Sequence, residues 1–314
     1  MRIGRLAPSP TGAQHVGNAR TYLLAWLSAR SQGMQLHVRI EDIDSPRVKP
    51  GADAQALEDL RWLGLDWDGP VCVQSHNLQP YSDALQRLRA QNLVYACTCT
   101  RGDIERAASA PHAEHEGAVY PGTCAHRHAD EVPDTPHCWR FRVPENTPEF
   151  VDRLHGRVAL DLRQIGGDFV VWKAARPPNQ GATPAYQLAV VVDDAALGVT
   201  EVVRGEDLIP STPRQLLVYQ ALGWNAPTYV HVPLVIGPDG RRLAKRHGDT
   251  RLAALRASGV APEALIGLLA ASCGLGDGQP CRARDLLTSF RFDALPREPF
   301  VLTAEALRRI GYGG

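Results

Sequence analysis

The sequence carries no net charge: 34 lysines plus arginines stand against 34 aspartates plus glutamates. A chain without a global basic field must meet any nucleic acid through local patches. Lysine itself is scarce, with only Lys49, Lys173 and Lys245 in 314 residues, so arginine supplies nearly every cation. The longest apolar run, 264–275, is too short and too interrupted to span a bilayer. No basic-then-apolar leader opens the chain, and a soluble cytoplasmic protein without membrane contact is expected. Internal repeats and low-complexity tracts are also missing. The cysteines number seven, an odd count that points to metal binding or simple burial rather than a disulfide framework. What is present is core material: 44% apolar residues over this length support two or three domains.

Local patterns order the chain into alternating strands and helices. Residues 2–6 read as a short strand and the Pro8, Pro10 and Gly12 cluster as a loop. Residues 16–30 read as a helix with Tyr22, Leu23, Trp26 and Leu27 on one face, closed by Gly33. Residues 35–41 alternate, with Leu36, Val38 and Ile40 on one side and Arg39 and Glu41 on the other. Helices follow at 52–63 and around Tyr81, Leu85 and Leu88, a cadence typical of a parallel α/β sheet. From Cys97 to about Pro184 the chain is rich in Cys, His, Pro and Gly, with strand-like pieces at 138–143 and 169–172, and reads as an insertion. The α/β pattern resumes at 186–194, 200–204 and a helix opening on Ser211-Thr212-Pro213. Within it, Ala189-Val-Val-Val-Asp193 has strand propensity. A Pro238-Asp239-Gly240 turn and helices near 250–257 and 262–273 complete the order.

The opening stretch Arg5-Leu-Ala-Pro-Ser9-Pro-Thr-Gly-Ala-Gln-His15-Val-Gly17-Asn18 sets a small-residue turn, a histidine and a glycine at the entrance of an apolar helix. Helix N-termini present free N–H groups and partial positive charge, which suits phosphates, and glycine lets a base or phosphate approach the backbone. A second cluster, Arg241-Arg242-Leu-Ala244-Lys245-Arg246-His247-Gly248, lies far downstream, and the pair points to nucleotide chemistry. These two motifs resemble the signatures of class I aminoacyl-tRNA synthetases. With Arg39-Ile-Glu41-Asp42-Ile-Asp44 and Val203-Arg204-Gly-Glu-Asp207, the likeness narrows to the glutamyl branch and runs from the first residues to about Gly248.

The resemblance implies an α/β fold: a Rossmann-type class I synthetase catalytic domain with a zinc-bearing α+β insertion and a short helical C-terminal region, without an anticodon-binding domain. Residues 1–96 and 186–236 would form the two halves of the catalytic domain. Residues 97–185 would be the insertion, and 237–314 the second-motif loop with the final helices. For the valine run at 189–193 the resemblance favours a helix, against propensity, and both readings stand. It also implies a monomer.

Amino-acid activation joins a carboxylate to the α-phosphate of ATP and expels pyrophosphate, so the protein must orient two reactants and stabilise developing negative charge. By the resemblance His15 contacts the phosphates, Gly17 and Asn18 lie against the nucleotide, and Arg242 and Lys245 grip the phosphates, with Mg accompanying ATP. This chain has Asn18 at the end of the first motif. It has Arg242 and Ala244 where lysine and serine are usual; Ala244 forgoes a hydroxyl hydrogen bond worth about 0.5–1.5 kcal/mol. A glutamate substrate brings two carboxylates and one ammonium. By the resemblance Arg5 and Arg204 fork onto carboxylates, Glu41 takes the ammonium, and Ser9 and Tyr186 donate further hydrogen bonds. Asp42, Asp44 and Arg47 are expected to form a structural loop network.

Cys97-Thr-Cys99 followed by Cys124 offers three thiolates for a tetrahedral site of the kind zinc prefers. By chemistry His126 or His128 would be a better fourth ligand than a phenol. The short paralogues of the glutamyl branch use a tyrosine at the position of Tyr120, which is therefore favoured, with His126 as the alternative and a structural role for the metal. Cys72, Cys138, Cys273 and Cys281 have no spacing that recommends them.

Some sixty-odd residues follow Gly248, too few for a large anticodon-binding region, which is the pattern of those short paralogues. The function implied is tRNA-independent activation of L-glutamate with ATP and transfer to queuosine in the anticodon loop of tRNA(Asp). A compact glutamyl-tRNA synthetase charging a 3′ end, a catalytically silent tRNA-binding paralogue and a small-molecule nucleotidyltransferase are the alternatives. The last of these leaves Arg5, Glu41 and Arg204 unexplained.

Overall fold

The computed structural model describes residues 1–10, 12–43, 48–107, 119–175, 181–243 and 249–313. Strand β1 (Ile3–Leu6) leads through a loop into helix α1 (Val16–Ser31), and β2 (Gln35–Ile40) returns beside β1 in parallel register, Arg5 opposite His37. Helix α2 (Ala52–Trp62) and β3 (Cys72–Val73) extend this sheet to the order β1-β2-β3. Helix α3 (Gln79–Ala90) then carries the chain to β4 (Val94–Cys97).

Strand β4 does not join the parallel sheet. After α4 (Arg101–Ala107) it pairs antiparallel with β5 (Cys138–Phe141). The hairpin β6 (Phe150–Asp152) and β7 (Gly156–Val158) follows, then β8 (Phe169–Lys173) and β9 (Thr183–Pro184), giving a sheet ordered β4-β5-β8-β9. The strand-like pieces at 138–143 and 169–172 are thus neighbours in this sheet.

The valine run is helical, as part of α5 (Tyr186–Ala196). Leu188 to Val192 are all buried, and α5 contacts α3 and β8. Valine loses only tenths of a kcal/mol in a helix through its stiff χ1, whereas each buried valine side chain gains roughly 1.5–3 kcal/mol, so surroundings override propensity. Strand β10 (Glu201–Gly205), helix α6 (Ser211–Leu222) and parallel strand β11 (Thr228–Val232) come next, Arg204 opposite His231. β10 abuts β1 through the Thr200 N–H to the Ile3 carbonyl at 2.8 Å, so the two parallel ladders meet edge to edge. The β6 hairpin docks on the far side of β11 at Tyr229 and Asp152. From β1 the chain therefore runs to β2 on one side while β10 stands on the other. A crevice at such a switch point, outside the carboxyl ends of the strands, is where open α/β sheets take ligands.

After β12 (Val235–Ile236), helices α7 (Leu252–Ala257) and α8 (Pro262–Ser272) share one core with α1 and β2. Covered by sheet and helices, α1 is buried nearly all round and not on one face, and even Arg20 is buried, donating to Ser272 and to the Pro233 carbonyl. The last segment is not purely helical: β13 (Phe300–Val301) pairs parallel with β12 before α9 (Ala304–Arg309). No helix among the described residues is long and apolar enough to cross a membrane.

Candidate active site

A cleft of about 440 Å³ opens at the carboxyl ends of β1 and β10. Arg5, Ser9, His15, Gly17, Asn18, Glu41, Tyr186, Arg204 and Arg242 all line it, which brings together residues from every motif singled out in the sequence. Lys245 and Ala244 lie outside the described residues, as do Asp44 and Arg47 of the expected loop network. Asp42, the described member of that network, accepts from the Ser75 backbone N–H at 2.9 Å.

His15 is the N-cap of α1. Its Nδ1 accepts from the Gly17 and Asn18 backbone N–H groups at 3.0 and 3.4 Å, and Asn18 Oδ1 accepts from the His15 N–H at 3.1 Å, a reciprocal capping box. The Val16 N–H is bonded to the Thr250 carbonyl at 3.0 Å. The first amides of α1 are therefore not free for a phosphate, contrary to the sequence expectation. The cap has a different consequence. Because Nδ1 accepts, the neutral ring carries its proton on Nε2, and burial lowers the pKa of His15, favouring this neutral donor form. Gly17 serves the cap as well: a Cβ there would stand 2.9 Å from the His15 Cε1.

The second motif is tied to the first by backbone. The Leu252 N–H donates to the Gln14 carbonyl at 2.8 Å, beside the Val16–Thr250 bond. On the other flank Leu243 lines the cleft and Arg242 pairs with Asp207 at 3.0 Å, just beyond β10. Both flanks of 244–248 are thus anchored at the cleft.

Charge inside the site is organised around a buried cluster. Arg39 is fully buried and pairs with Glu41 at 2.9 Å, with Asp194 through Nη1, and with Asp193 at 3.5 Å. Burial pulls its pKa down, yet Asp194, Glu41 and Asp193 together hold it well above the ordinary value. Asp193 and Asp194 end α5, where carboxylates oppose the helix dipole, and Arg39 offsets that cost. Glu41 Oε2 also accepts from the Ser9 hydroxyl at 3.3 Å. Ser9 thus directs its single proton at Glu41 and faces a ligand as an acceptor, which corrects its expected donor role. Burial raises the pKa of Tyr186, keeping its phenol protonated as a donor.

The two expected carboxylate anchors differ. Arg5 is buried, yet among the described residues its guanidinium makes one hydrogen bond, to the Val203 carbonyl at 3.1 Å. Its Nε has no hydrogen-bond partner and stands 3.8 Å from Asp194 Oδ1. Burial, outweighing Asp194, lowers its pKa. A buried cation with unmet donors at a cleft wall is a site for an anion. Arg204, by contrast, is nearly saturated: among the described residues it donates to His231, Gln215, Thr212 and the Leu208 carbonyl, leaving one Nη1 N–H. It cannot fork onto a ligand carboxylate as placed. It offers a fixed charge and a single donor.

Behind Arg204, His231 and Asp152 form a buried pair at 2.7 Å that the sequence reading did not single out. Burial lowers the His231 pKa to about 4, and the His231 hydrogen bond holds Asp152 below the usual carboxylate range despite burial. Between pH 6.5 and about 4 the unfolded chain binds a proton that folded His231 refuses. This stability is full above pH 6.5 and is lost as pH falls, by about 3 kcal/mol at most. Asp152 adds a loss of the same sign at lower pH. Urea unfolding from pH 7 to 4.5 should show this slope, and a His231→Gln variant a shallower one. Equal slopes would contradict the assignment.

Away from the cleft, Cys97, Cys99 and Cys124 place their sulfurs within 4.8 Å of one another, a group that could hold a metal. No histidine joins them among the described residues, and His126 is exposed. The Tyr120 Oη lies 3.3 Å from Cys97 Sγ and 4.0 Å from Cys99 Sγ and accepts from the Cys124 N–H at 2.9 Å. Cys138, set aside on spacing, stands opposite Cys97 in the ladder, and its hydrogen bond to Cys97 pulls the Cys97 thiol pKa down.

The site's geometry agrees with the likenesses to known proteins. A relative from Rhodopirellula baltica named glutamyl-Q tRNA(Asp) synthetase is 55% identical over 281 residues, covering 87% of this chain and 85% of that protein. One of the same name from Symbiobacterium thermophilum is 46% identical, covering 100% and 99%. The solved glutamate–tRNA synthetase of Elizabethkingia anophelis superposes with a TM-score of 0.79 at 26% identity, over 98% of this chain and 68% of that one. The family pattern described as tRNA synthetases class I (E and Q), catalytic domain, matches residues 3–301. This chain belongs to that family.

Proposed function

We propose that the cleft activates L-glutamate with ATP in the absence of RNA and passes the glutamyl group to queuosine in the anticodon loop of tRNA(Asp). The observation that carries the amino-acid assignment is Arg5, a buried guanidinium with unmet donors, beside Glu41, which can still accept from an ammonium. In the first step a glutamate carboxylate oxygen attacks the α-phosphorus and pyrophosphate leaves. In the second a queuosine hydroxyl attacks the acyl carbon, loses its proton and releases AMP. His15 donates its Nε2 proton to a phosphate oxygen, and Arg242 adds charge. Lys245, two residues after the cleft-lining Leu243 in the sequence, is assigned to the same phosphates by the resemblance. The acceptor assignment draws support from the two relatives named for glutamyl-Q tRNA(Asp), which share 85% and 99% of their length with this chain.

Zinc suits the thiol cluster. Two thiolates at about 2.3 Å from a tetrahedral ion stand roughly 3.8 Å apart, and Cys99 and Cys124 are 3.7 Å apart. Cys97, Cys99, Cys124 and Tyr120 would hold it, and its contribution is to brace the insertion. Elemental analysis of purified protein should find stoichiometric zinc that Cys124→Ala abolishes and His126→Ala retains. Zinc lost in the histidine variant would reverse the choice of fourth ligand.

The function is tested by glutamate-dependent ATP–pyrophosphate exchange without RNA, followed by transfer of labelled glutamate to tRNA(Asp) with and without queuosine. Exchange without RNA, and transfer only to the queuosine-bearing tRNA, are expected. Label on a tRNA 3′ end, or no exchange, overturns the proposal.

A further inference from the structure

The buried pair behind the cleft has a consequence for Arg204. Its Nε–H points at His231 Nε2 at 3.0 Å, and Thr212 Oγ1 lies 3.2 Å from the same nitrogen. His231 Nε2 must therefore be a lone pair, and the ring proton must sit on Nδ1, which faces Asp152 Oδ2 at 2.7 Å. Asp152 in turn accepts four N–H groups. Oδ2 takes the His231 backbone N–H at 3.0 Å and its Nδ1–H, and Oδ1 takes the Leu154 and His155 backbone N–H groups at 2.8 and 3.0 Å. Only an ionised carboxylate satisfies all four. Asp152, His231, Thr212 and Arg204 are each at most 3% exposed, so no water competes for these bonds. Neither Asp152 nor His231 lines the cleft.

We infer that Asp152 and His231 are positioning residues for the amino-acid substrate: the carboxylate fixes the imidazole tautomer, and the imidazole fixes the Arg204 guanidinium at the cleft wall. The inference rests on the reading of Arg204 as a charge that a glutamate carboxylate meets. It also gives the β6 hairpin, which lies within the 97–185 segment, a part in substrate selection. Asp152 is on β6, His231 on β11 and Arg204 on β10, so strand pairing carries the position across the sheet. With Gln215 and Thr212 holding its other nitrogens, Arg204 has no freedom to follow a misplaced ligand.

The test is steady-state ATP–pyrophosphate exchange on His231→Phe, His231→Gln and Asp152→Asn, with Arg204→Ala alongside. Phenylalanine removes the acceptor of the Arg204 Nε–H. Glutamine can accept from Arg204 and donate to Asp152 at once. Asparagine sets an NH₂ against N–H groups whichever way it turns, and the opposite His231 tautomer relieves it. His231→Phe and Asp152→Asn should raise the KM for glutamate about 10-fold or more, with the KM for ATP and the kcat at saturating glutamate within about threefold. His231→Gln should restore the glutamate KM. A merely structural role would instead lower the titratable active-site fraction and leave both KM values alone. If His231→Phe does not fold, ¹⁵N spectra of the imidazole decide: an Nδ1–H tautomer in the native protein, changed in Asp152→Asn, is required. A raised glutamate KM in Arg204→Ala alone overturns the relay. An unchanged one in Arg204→Ala overturns the reading of Arg204 beneath it.

Discussion

Arg5→Ala should raise the KM for glutamate about 100-fold or more while moving the KM for ATP by less than about threefold. A hydrogen bond to a charged group contributes about 1.5–3 kcal/mol, and a forked pair inside a buried site more, which corresponds to two or three decades. Arg5 has the donors for a fork because, among the described residues, it makes one hydrogen bond, to the Val203 carbonyl. Its removal should leave the fold standing. Asp194 keeps its pairing with Arg39, and a buried cation with an orphaned Nε is lost. Arg5→Lys should not rescue, since a single ammonium cannot hold the Val203 carbonyl and a carboxylate in the same plane. Pyrophosphate-exchange kinetics with an accompanying melting curve check this. A glutamate KM unchanged in Arg5→Ala would remove the substrate carboxylate from this end of the cleft.

The second large effect separates two duties of one side chain. His15→Asn should lower kcat for exchange by about 10²–10³-fold with the melting temperature unchanged. His15→Ala should lose similar activity and, in addition, about 1 kcal/mol of stability. Asparagine is among the best N-caps, so it replaces the acceptor that serves the Gly17 and Asn18 N–H groups, but it is too short to offer the phosphate donor proposed for Nε2. If His15→Asn kept full activity, the histidine would be a cap and nothing more.

Much of this site was legible in the sequence because its residues sit in contiguous motifs. Arg5, Ser9, His15, Gly17 and Asn18 fall within one stretch, and all reach the cleft. What stayed hidden was pairing over long separations. Arg39 and Asp194 are 155 residues apart, and Asp152 and His231 are 79 apart. Neither pair leaves a local pattern, since strand order is not written in any one strand. For the same reason Arg204 read as a free fork when its neighbours already hold all but one of its N–H groups, and Ser9 read as a ligand donor when its hydroxyl donates to Glu41. The first-turn amides of α1 read as open because a histidine cap and the Thr250 carbonyl are not visible in a propensity scale. Helix α5 shows the converse: the strand propensity of three successive valines, Val190 to Val192, yields to burial on every side, and of the two readings left open the helix holds. Cys138 was overlooked because its partner Cys97 is across a ladder and not along the chain.

All of these roles require a nucleotide and a dicarboxylic amino acid to share one crevice. A crystal structure with a non-hydrolysable glutamyl-adenylate analogue measures that sharing directly. It should show a carboxylate on Arg5, the amino group at Glu41 and the phosphate between His15 and Lys245. An analogue seated elsewhere, or His15 and Lys245 too far apart to touch one phosphate, would contradict it.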